Sequence, residues 1–332
     1  MRAVQIREFG EVEQLQIEEI ADPSPGPAQV LVDIQATAVN FVDLLVISGK
    51  YQFLPTRPFV PGKLPSGIVS AVGQGVTTLK VGDRVLALAE QGGYAEMVAV
   101  PASDCFVLPD SLSFVDAASM ALAYDTAWFA LCERGRAKAG ESVLVLGASG
   151  AVGLAAVQLA HAYGLQVLAA VRTETQKQQV LAAGANHVID VSVPDLHESL
   201  RERVREVTAG AGADIVLDPL GGNYFDAAVR AVAWRGRVVV IGFASGRIPT
   251  LKMNYVMLKN IEVSGVQVSD YRKRTPGEMA HCLAEIFRLH GEGKLRPAPA
   301  EAVPLSKVRQ ALAQVRDRSA AARLILVPGE KQ

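Results

Sequence analysis

Gly147-Ala148-Ser149-Gly150-Ala151-Val152-Gly153 is the stretch that decides the fold. It follows an apolar run of strand length, residues 143–146, and opens an apolar run of helical length, residues 151–163. Its glycines stand at GxxGxxG spacing, a variant of the GxGxxG dinucleotide fingerprint. Such a chain can turn tightly, bring its backbone up to a pyrophosphate and pack helix close against strand. The helix N-terminus then offers N–H groups and partial positive charge to the phosphates. The same spacing can serve a tight turn with no ligand. Here a second strand, residues 166–170, follows the helix, and no acidic residue opens it. The motif is therefore read as a dinucleotide site.

The end of that second strand selects the dinucleotide. NAD sites usually place Asp or Glu there, roughly 20 residues past the motif, for the ribose 2′-hydroxyl. This chain has Val171-Arg172-Thr173, and Glu174 opens the next helix. Arg172 and Lys177 supply two cations and Thr173 a hydroxyl, which suits a 2′-phosphate. The expected cofactor is NADP(H).

Outward from the motif, strand and helix alternate. Strands are expected at 143–146, 166–170, 187–189, 215–218, 237–241 and 261–263, with helices at 151–163, 174–183, 196–208 and 224–233. That rhythm argues for a parallel, doubly wound sheet. A long helix at 117–134 precedes it. The first 110 residues carry short β patterns at 3–6, 29–38, 67–72, 83–89 and 94–100, with Pro and Gly between them, and read as a mostly antiparallel β unit. The tail adds helices at 278–290 and 306–317 and a last strand at 323–327, and is expected to pack back onto the first unit.

Residues 142–171 contain no Asp, Glu, Lys or Arg, a run of 30 that is long enough to span a membrane. Gly147, Gly150, Gly153 and Gly164 break it into strand, helix and strand, and parallel strands covered on both faces read as apolar too. The length of 332 residues favours two domains. Lys plus Arg total 33 and Asp plus Glu 34, a balance that points to neither nucleic acid nor an anionic membrane. Cys105, Cys132 and Cys282 form no CxxC pair, and the N-terminal residues carry Arg2, Arg7 and Glu8 without an apolar run. A cytoplasmic protein without disulfides or signal peptide is expected.

Several further stretches resemble the medium-chain dehydrogenase/reductase superfamily, and within it the zinc-free, zeta-crystallin-like NADPH:quinone oxidoreductase group. They are Asn40-Phe41-Val42-Asp43, Ser48-Gly49-Lys50-Tyr51, Pro58-Phe59-Val60-Pro61-Gly62, Val81-Gly82-Asp83-Arg84-Val85, the glycine motif with Ala156-Val157-Gln158-Leu159-Ala160, and Gly242-Phe243-Ala244. They cover most of the chain in the family's order. The resemblance implies an α/β fold: a GroES-like mostly-β substrate domain at 1–121, to which 266–332 return, and a Rossmann NADP-binding domain at 122–265. It also implies a cleft between the two and a homodimer. Zinc-dependent relatives supply a Cys where Asn40 stands and a His-Glu pair where Lys63-Leu64 stand, and no Cys-rich lobe is present, so no metal is expected. The five His show no ligand pairing. Leu64 departs from the acidic residue that even zinc-free relatives usually keep, and Val268-Ser269 stand where many relatives have an aromatic residue.

The chemistry then follows from the cofactor: hydride goes to an electron-poor carbon, and the developing enolate needs a donor. Asn40 and Tyr51 are the candidate catalytic residues. Asn40 would lie near the nicotinamide ribose and the reacting oxygen, and Tyr51 matches the tyrosine beside substrate in related enoyl-thioester reductases. The bland alternatives are a turn-stabilising amide and a packing ring. By resemblance the cofactor is held by Thr126, Gly147, Ser149, Gly150, Ala151, Val152, Gly153, Arg172, Thr173, Lys177, Leu220, Gly242, Phe243, Ala244, Val266, Gln267 and Arg318. The acceptor is a quinone or small enone. One alternative is a 2-enoyl thioester, for whose phosphates Lys50, Arg57 and Lys63 would form a basic mouth. Another is a non-catalytic NADPH-binding structural or RNA-binding protein.

Overall fold

A computed structural model describes residues 1–329. The chain divides into two units, Met1–Leu122 with the tail from Pro297, and Ala123–Arg296.

The second unit is built on a six-stranded parallel sheet. From one edge its strands are His187–Asp190, Gln166–Val171, Ser142–Val145, Ala213–Asp218, Val232–Val240 and Glu262–Gly265. Numbered along the chain, this is the order 3-2-1-4-5-6 of a doubly wound dinucleotide fold, with its switch point between Ser142–Val145 and Ala213–Asp218. All four residues of Ser142–Val145 are buried, which explains the uncharged run in the sequence. Helices Leu196–Val207 and Gly222–Ala231 help bury Leu144, Leu168, Val216, Val238 and Phe225 in one core. Polar side chains start the helices: Thr173 accepts from Gln176 N at Glu174–Ala182, and Asp195 from Glu198 N at Leu196–Val207.

Three expectations need correction here. The helix expected at 117–134 is α-helical only over Phe114–Trp128 and closes as a wider π turn, Phe129–Arg134, with Gly135 N bonded to Ala130 O at 2.9 Å. One turn of apolar spacing does not distinguish the two pitches. The helix expected to reach residue 233 ends at Ala231, and Val232–Val240 is already strand, since Val232-Ala233-Trp234 suits either state. The tail returns to the first unit from Pro297, not from residue 266. Residues 266–296 stay with the second unit because Val266 N bonds to Val240 O at 3.0 Å. Arg272 pairs with buried Asp125, and Gln158 bonds both the N–H and the carbonyl of Arg296. Helical periodicity does not say which sheet a helix covers.

In the first unit, Gln29–Ala38 is the central strand. It pairs antiparallel with Ser66–Val72, with Met97–Pro101 and with the tail strand Arg323–Val327. Ala300–Pro304 lies parallel to that tail strand, and Arg84–Ala87 and Cys105–Val107 extend the other edge. One apolar cluster holds Val30, Val32, Val69, Val85 and Val100. A second joins Ile47, Phe59 and Tyr94 to tail residues Leu312 and Leu326. The sequence reading did not anticipate the seven-residue helices Phe41–Ile47, Met253–Lys259 and Val268–Arg274, nor the short strands Ile17–Glu19, Cys105–Val107 and Ala300–Pro304. Seven residues are too few to display a helical period, and Ala300–Pro304 lacks the apolar run that marks the equally long Arg323–Val327.

Candidate active site

In the second unit the glycine crossover is held from both sides: Leu146 N bonds to Leu217 O at 3.0 Å and Ala148 N to Ala170 O at 3.2 Å. Gly147 takes φ +58°, where glycine is at ease, and a Cβ on it would meet the Leu220 side chain at 3.1 Å. A Cβ on Gly153 would lie 2.2 Å from the Gly147 carbonyl oxygen and 2.7 Å from Ala148 Cα. Only glycine lets the helix Ala151–Ala162 pack this close to the strand. Gly150 is its N-cap and brings no capping side chain. The first-turn N–H groups of Ala151, Val152 and Gly153 have no acceptor within the helix. With Ser149 in the turn, this cradle fits the pyrophosphate of a dinucleotide.

Across the switch point, buried Asp218 accepts from Leu220 N and Gly221 N, both at 2.9 Å, and curls the loop that sets Leu220 against Gly147. Burial pushes its carboxyl above the ordinary range, against those two N–H groups. Sequence reasoning missed Asp218; its only trace was Asp218-Pro219-Leu220-Gly221-Gly222 at a strand end. The next loop joins it: Gly242 N bonds to Asp218 O, Ala244 N to Pro219 O, and a Cβ on Gly221 would strike the Phe243 ring at 2.9 Å. Leu220, Gly242, Phe243 and Ala244 are thus brought together beside Gly147. Val266 extends the edge strand, and Gln267 caps Val268–Arg274 through Ser269 N. Thr126, nearly buried, donates to Asp125 Oδ1 at 3.3 Å.

At the end of the second strand Arg172 is exposed and makes no ion pair among the described residues; its N–H is held by Gln176 Oε1 at 2.9 Å. Thr173 caps the next helix, and Glu174 lies on that helix. Lys177 reaches Glu174 at 3.4 Å on an exposed face, a solvent-screened ion pair easily exchanged for a phosphate.

The first unit holds a separate buried polar cluster. Asn40, 6% exposed, caps Phe41–Ile47. Its N–H donates to Asp43 Oδ2 at 2.8 Å, its Nδ2 to Ala38 O at 3.0 Å, and its Oδ1 accepts from Arg323 at 2.5 Å. Asp43 Oδ2 also accepts from the Tyr94 hydroxyl at 2.7 Å. Burial raises the Asp43 carboxyl, opposed by the Tyr94 and Asn40 bonds and by the charge of Lys63. Burial and the Asp43 charge push the Tyr94 phenol well above its ordinary value, so it stays a donor.

Tyr51 is half-buried, edge-on to Phe53 at 6.3 Å. Lys63 is 6% exposed, paired with Glu90 Oε2 at 2.5 Å, and its Nζ lies 5.7 Å from the Tyr51 ring centroid. It is therefore not part of a basic mouth, a correction caused by its internal carboxylate. Lys50 and Arg57 are exposed. Arg57 stacks over Phe9 and lines an open cavity of about 500 Å³ with Arg7, Leu54 and Thr56. Leu64 is fully buried at φ +53°. Arg318 stands in the first unit, in the turn after Val308–Arg316. With Asn40 and Tyr51 it is carried by the first unit; all other candidate cofactor residues are in the second.

This donor set does not fit zinc. The Asn40 amide is engaged at both ends, Lys63 is a cation and Leu64 offers no ligand. Among the described residues no three His, Cys, Asp or Glu side chains group as a metal site.

Two family models match: the alcohol dehydrogenase GroES-like domain over residues 26–110 and the zinc-binding dehydrogenase family over residues 151–285. A quinone oxidoreductase-like protein 2 homolog of Nematostella vectensis is 35% identical over 98% of this chain and 88% of its own length. The quinone oxidoreductase of Lama guanicoe is 35% identical over 97% of this chain and 96% of its own. The crystal structure of Escherichia coli quinone oxidoreductase complexed with NADPH superposes with a TM-score of 0.91 at 29% identity, covering 99% of this chain and 100% of that one.

Proposed function

Because this chain belongs to the zinc-free quinone oxidoreductase group of the medium-chain dehydrogenase/reductase superfamily and is an NADP-dependent oxidoreductase, we propose that it reduces a quinone or small enone without a metal ion. When bound, NADPH supplies the hydride. In this reading the cradle of Gly147–Gly153 grips the pyrophosphate, with Leu220, Gly242, Phe243 and Ala244 walling the crevice and Thr126, Val266 and Gln267 at the nicotinamide end. Arg172, Thr173 and Lys177 take the 2′-phosphate, with Arg318 as a further cation. Tyr51 donates a proton to the reduced acceptor, and Asn40, fixed by Arg323, shapes the acceptor's surroundings.

The observation that carries the cofactor reading is a cation, Arg172, where an acid would read a free ribose. Arg172→Ala should weaken NADPH binding about 10- to 150-fold, the equivalent of roughly 1.5–3 kcal/mol, and leave NADH binding within twofold. Calorimetry with both dinucleotides reads this. Equal losses would remove Arg172 from the phosphate site.

A 2-enoyl thioester is the second acceptor class, favoured by the open cavity beside Arg57. It ranks below quinone because Lys63 is withdrawn and Arg7, on the same cavity, already pairs with Glu18. We also infer a homodimer through the sheet edge at Glu262–Gly265, where Ile248, Met253, Met257 and Leu258 are each about 70% exposed on the neighbouring loop and helix. Sedimentation equilibrium should return twice the 35.2 kDa chain mass; a monomer at micromolar concentration would exclude it. Among the described residues no helix is long and apolar enough to cross a membrane, and all three cysteines are unpaired, which suits the reducing cytoplasm.

A further inference from the structure

Lys63 is a buried ammonium that the proposed chemistry does not use, and its setting is unusually fixed. Two backbone stretches run side by side: Gly92 N bonds to Val60 O, Gly93 N to Gly62 O, Tyr94 N to Pro61 O and Leu64 N to Ala89 O, all within 3.0 Å. Gly62, at φ +93°, is pressed against Tyr94 so tightly that a Cβ would lie 2.3 Å from its ring. Lys63 and Glu90 are the opposed side chains of this ladder. The ammonium has three donors, and Glu90 takes up two of them through Oε2 at 2.5 Å and its carbonyl at 3.3 Å. No other oxygen or nitrogen partner of Nζ is present among the described residues. Beyond Glu90 the Lys63 charge reaches buried Asp43, and the Tyr51 ring lies 5.7 Å away at its centroid. A cation within about 6 Å of an aromatic face is attracted by it, more so when desolvated.

We propose that Lys63 is a positioning residue for Tyr51: it fixes the ring and stabilises the negative charge that gathers on the phenol oxygen as its proton leaves. The inference rests on the reading of Tyr51 as proton donor. As hydride adds to the electron-poor carbon of an enone, the C=C pair moves through to the carbonyl oxygen. The Tyr51 proton passes to that oxygen, the O–H electron pair stays on the phenol oxygen of the ring that the ammonium faces at 5.7 Å from its centroid, and solvent returns the proton. Lys63 stays paired with Glu90 throughout.

The test is a double-mutant cycle on the full-length enzyme with NADPH and a small enone. Tyr51→Phe should lower kcat. Lys63→Met should lower kcat about tenfold, leave the NADPH dissociation constant within twofold and enlarge the solvent isotope effect on kcat. Lys63→Arg should recover most of the loss. In the Tyr51→Phe background, Lys63→Met should change kcat less than twofold. Should Lys63→Met fail to fold, Lys63→Gln, which keeps donors toward Glu90 without the charge, carries the same comparison. An unchanged kcat in Lys63→Met, or an equal loss in both backgrounds, would overturn the proposal while leaving Tyr51 as donor. An unchanged kcat in Tyr51→Phe would overturn both.

Discussion

Gly153→Ala is expected to weaken NADPH binding at least 100-fold, on the order of 3 kcal/mol. The single added carbon would sit 2.2 Å from the Gly147 carbonyl oxygen, and the next contacts, Ala148 Cα and its carbonyl carbon, are backbone too. No side chain can swing aside, so the helix must back away from the strand. Its first-turn N–H groups then leave the positions that meet the phosphates, where they act both as donors and as the positive end of the helix dipole. Crowding of this kind also costs about 1–3 kcal/mol of stability. Gly150 supplies the internal comparison. A Cβ there meets only the Gly147 oxygen, at 3.3 Å, and φ is an ordinary −74°. Gly150→Ala should therefore cost less than about tenfold in affinity. Calorimetric titration of both variants separates them; equal affinities would mean that the close helix approach is not what holds the dinucleotide.

Asp43→Ala should lower the unfolding free energy by about 3–5 kcal/mol. The carboxylate is 1% exposed and accepts from the Tyr94 hydroxyl and the Asn40 N–H, and its charge balances those of Arg323 and Lys63. Truncation strands two buried donors and removes a carboxylate whose charge acts on both Arg323 and Lys63. Tyr94→Phe removes one hydrogen bond from the same cluster and should cost only about 1 kcal/mol. Urea denaturation reads both. A loss below 1 kcal/mol in Asp43→Ala would mean that water reaches the cluster and replaces the carboxylate.

How far the residues alone reached can be seen element by element. The doubly wound sheet was legible because each strand is a short apolar run and each helix between them is long enough to show its period. Gln29–Ala38 and Arg323–Val327 were recovered to the residue for the same reason. The pairing of those two strands was not legible, since nothing local in a strand names a partner almost 300 residues away. The glycine cradle could be read because tight turns demand glycine, and Arg172 because an acid was missing from its place. Asp218 escaped notice because its work is done through backbone N–H groups of a loop. Lys63 was taken for a surface cation because charge usually means exposure. Only the ladder between residues 60–64 and 89–94 reveals Glu90 as its partner inside.

The most direct test mixes the enzyme with NADPH and, in turn, a quinone, a small enone and an enoyl thioester without oxygen, following nicotinamide absorbance. The account predicts that a quinone or enone consumes NADPH mole for mole, with kcat/KM at least about tenfold below that value when NADH replaces it. Binding of NADPH with no oxidation by any acceptor class, or equal use of NADH, would contradict it.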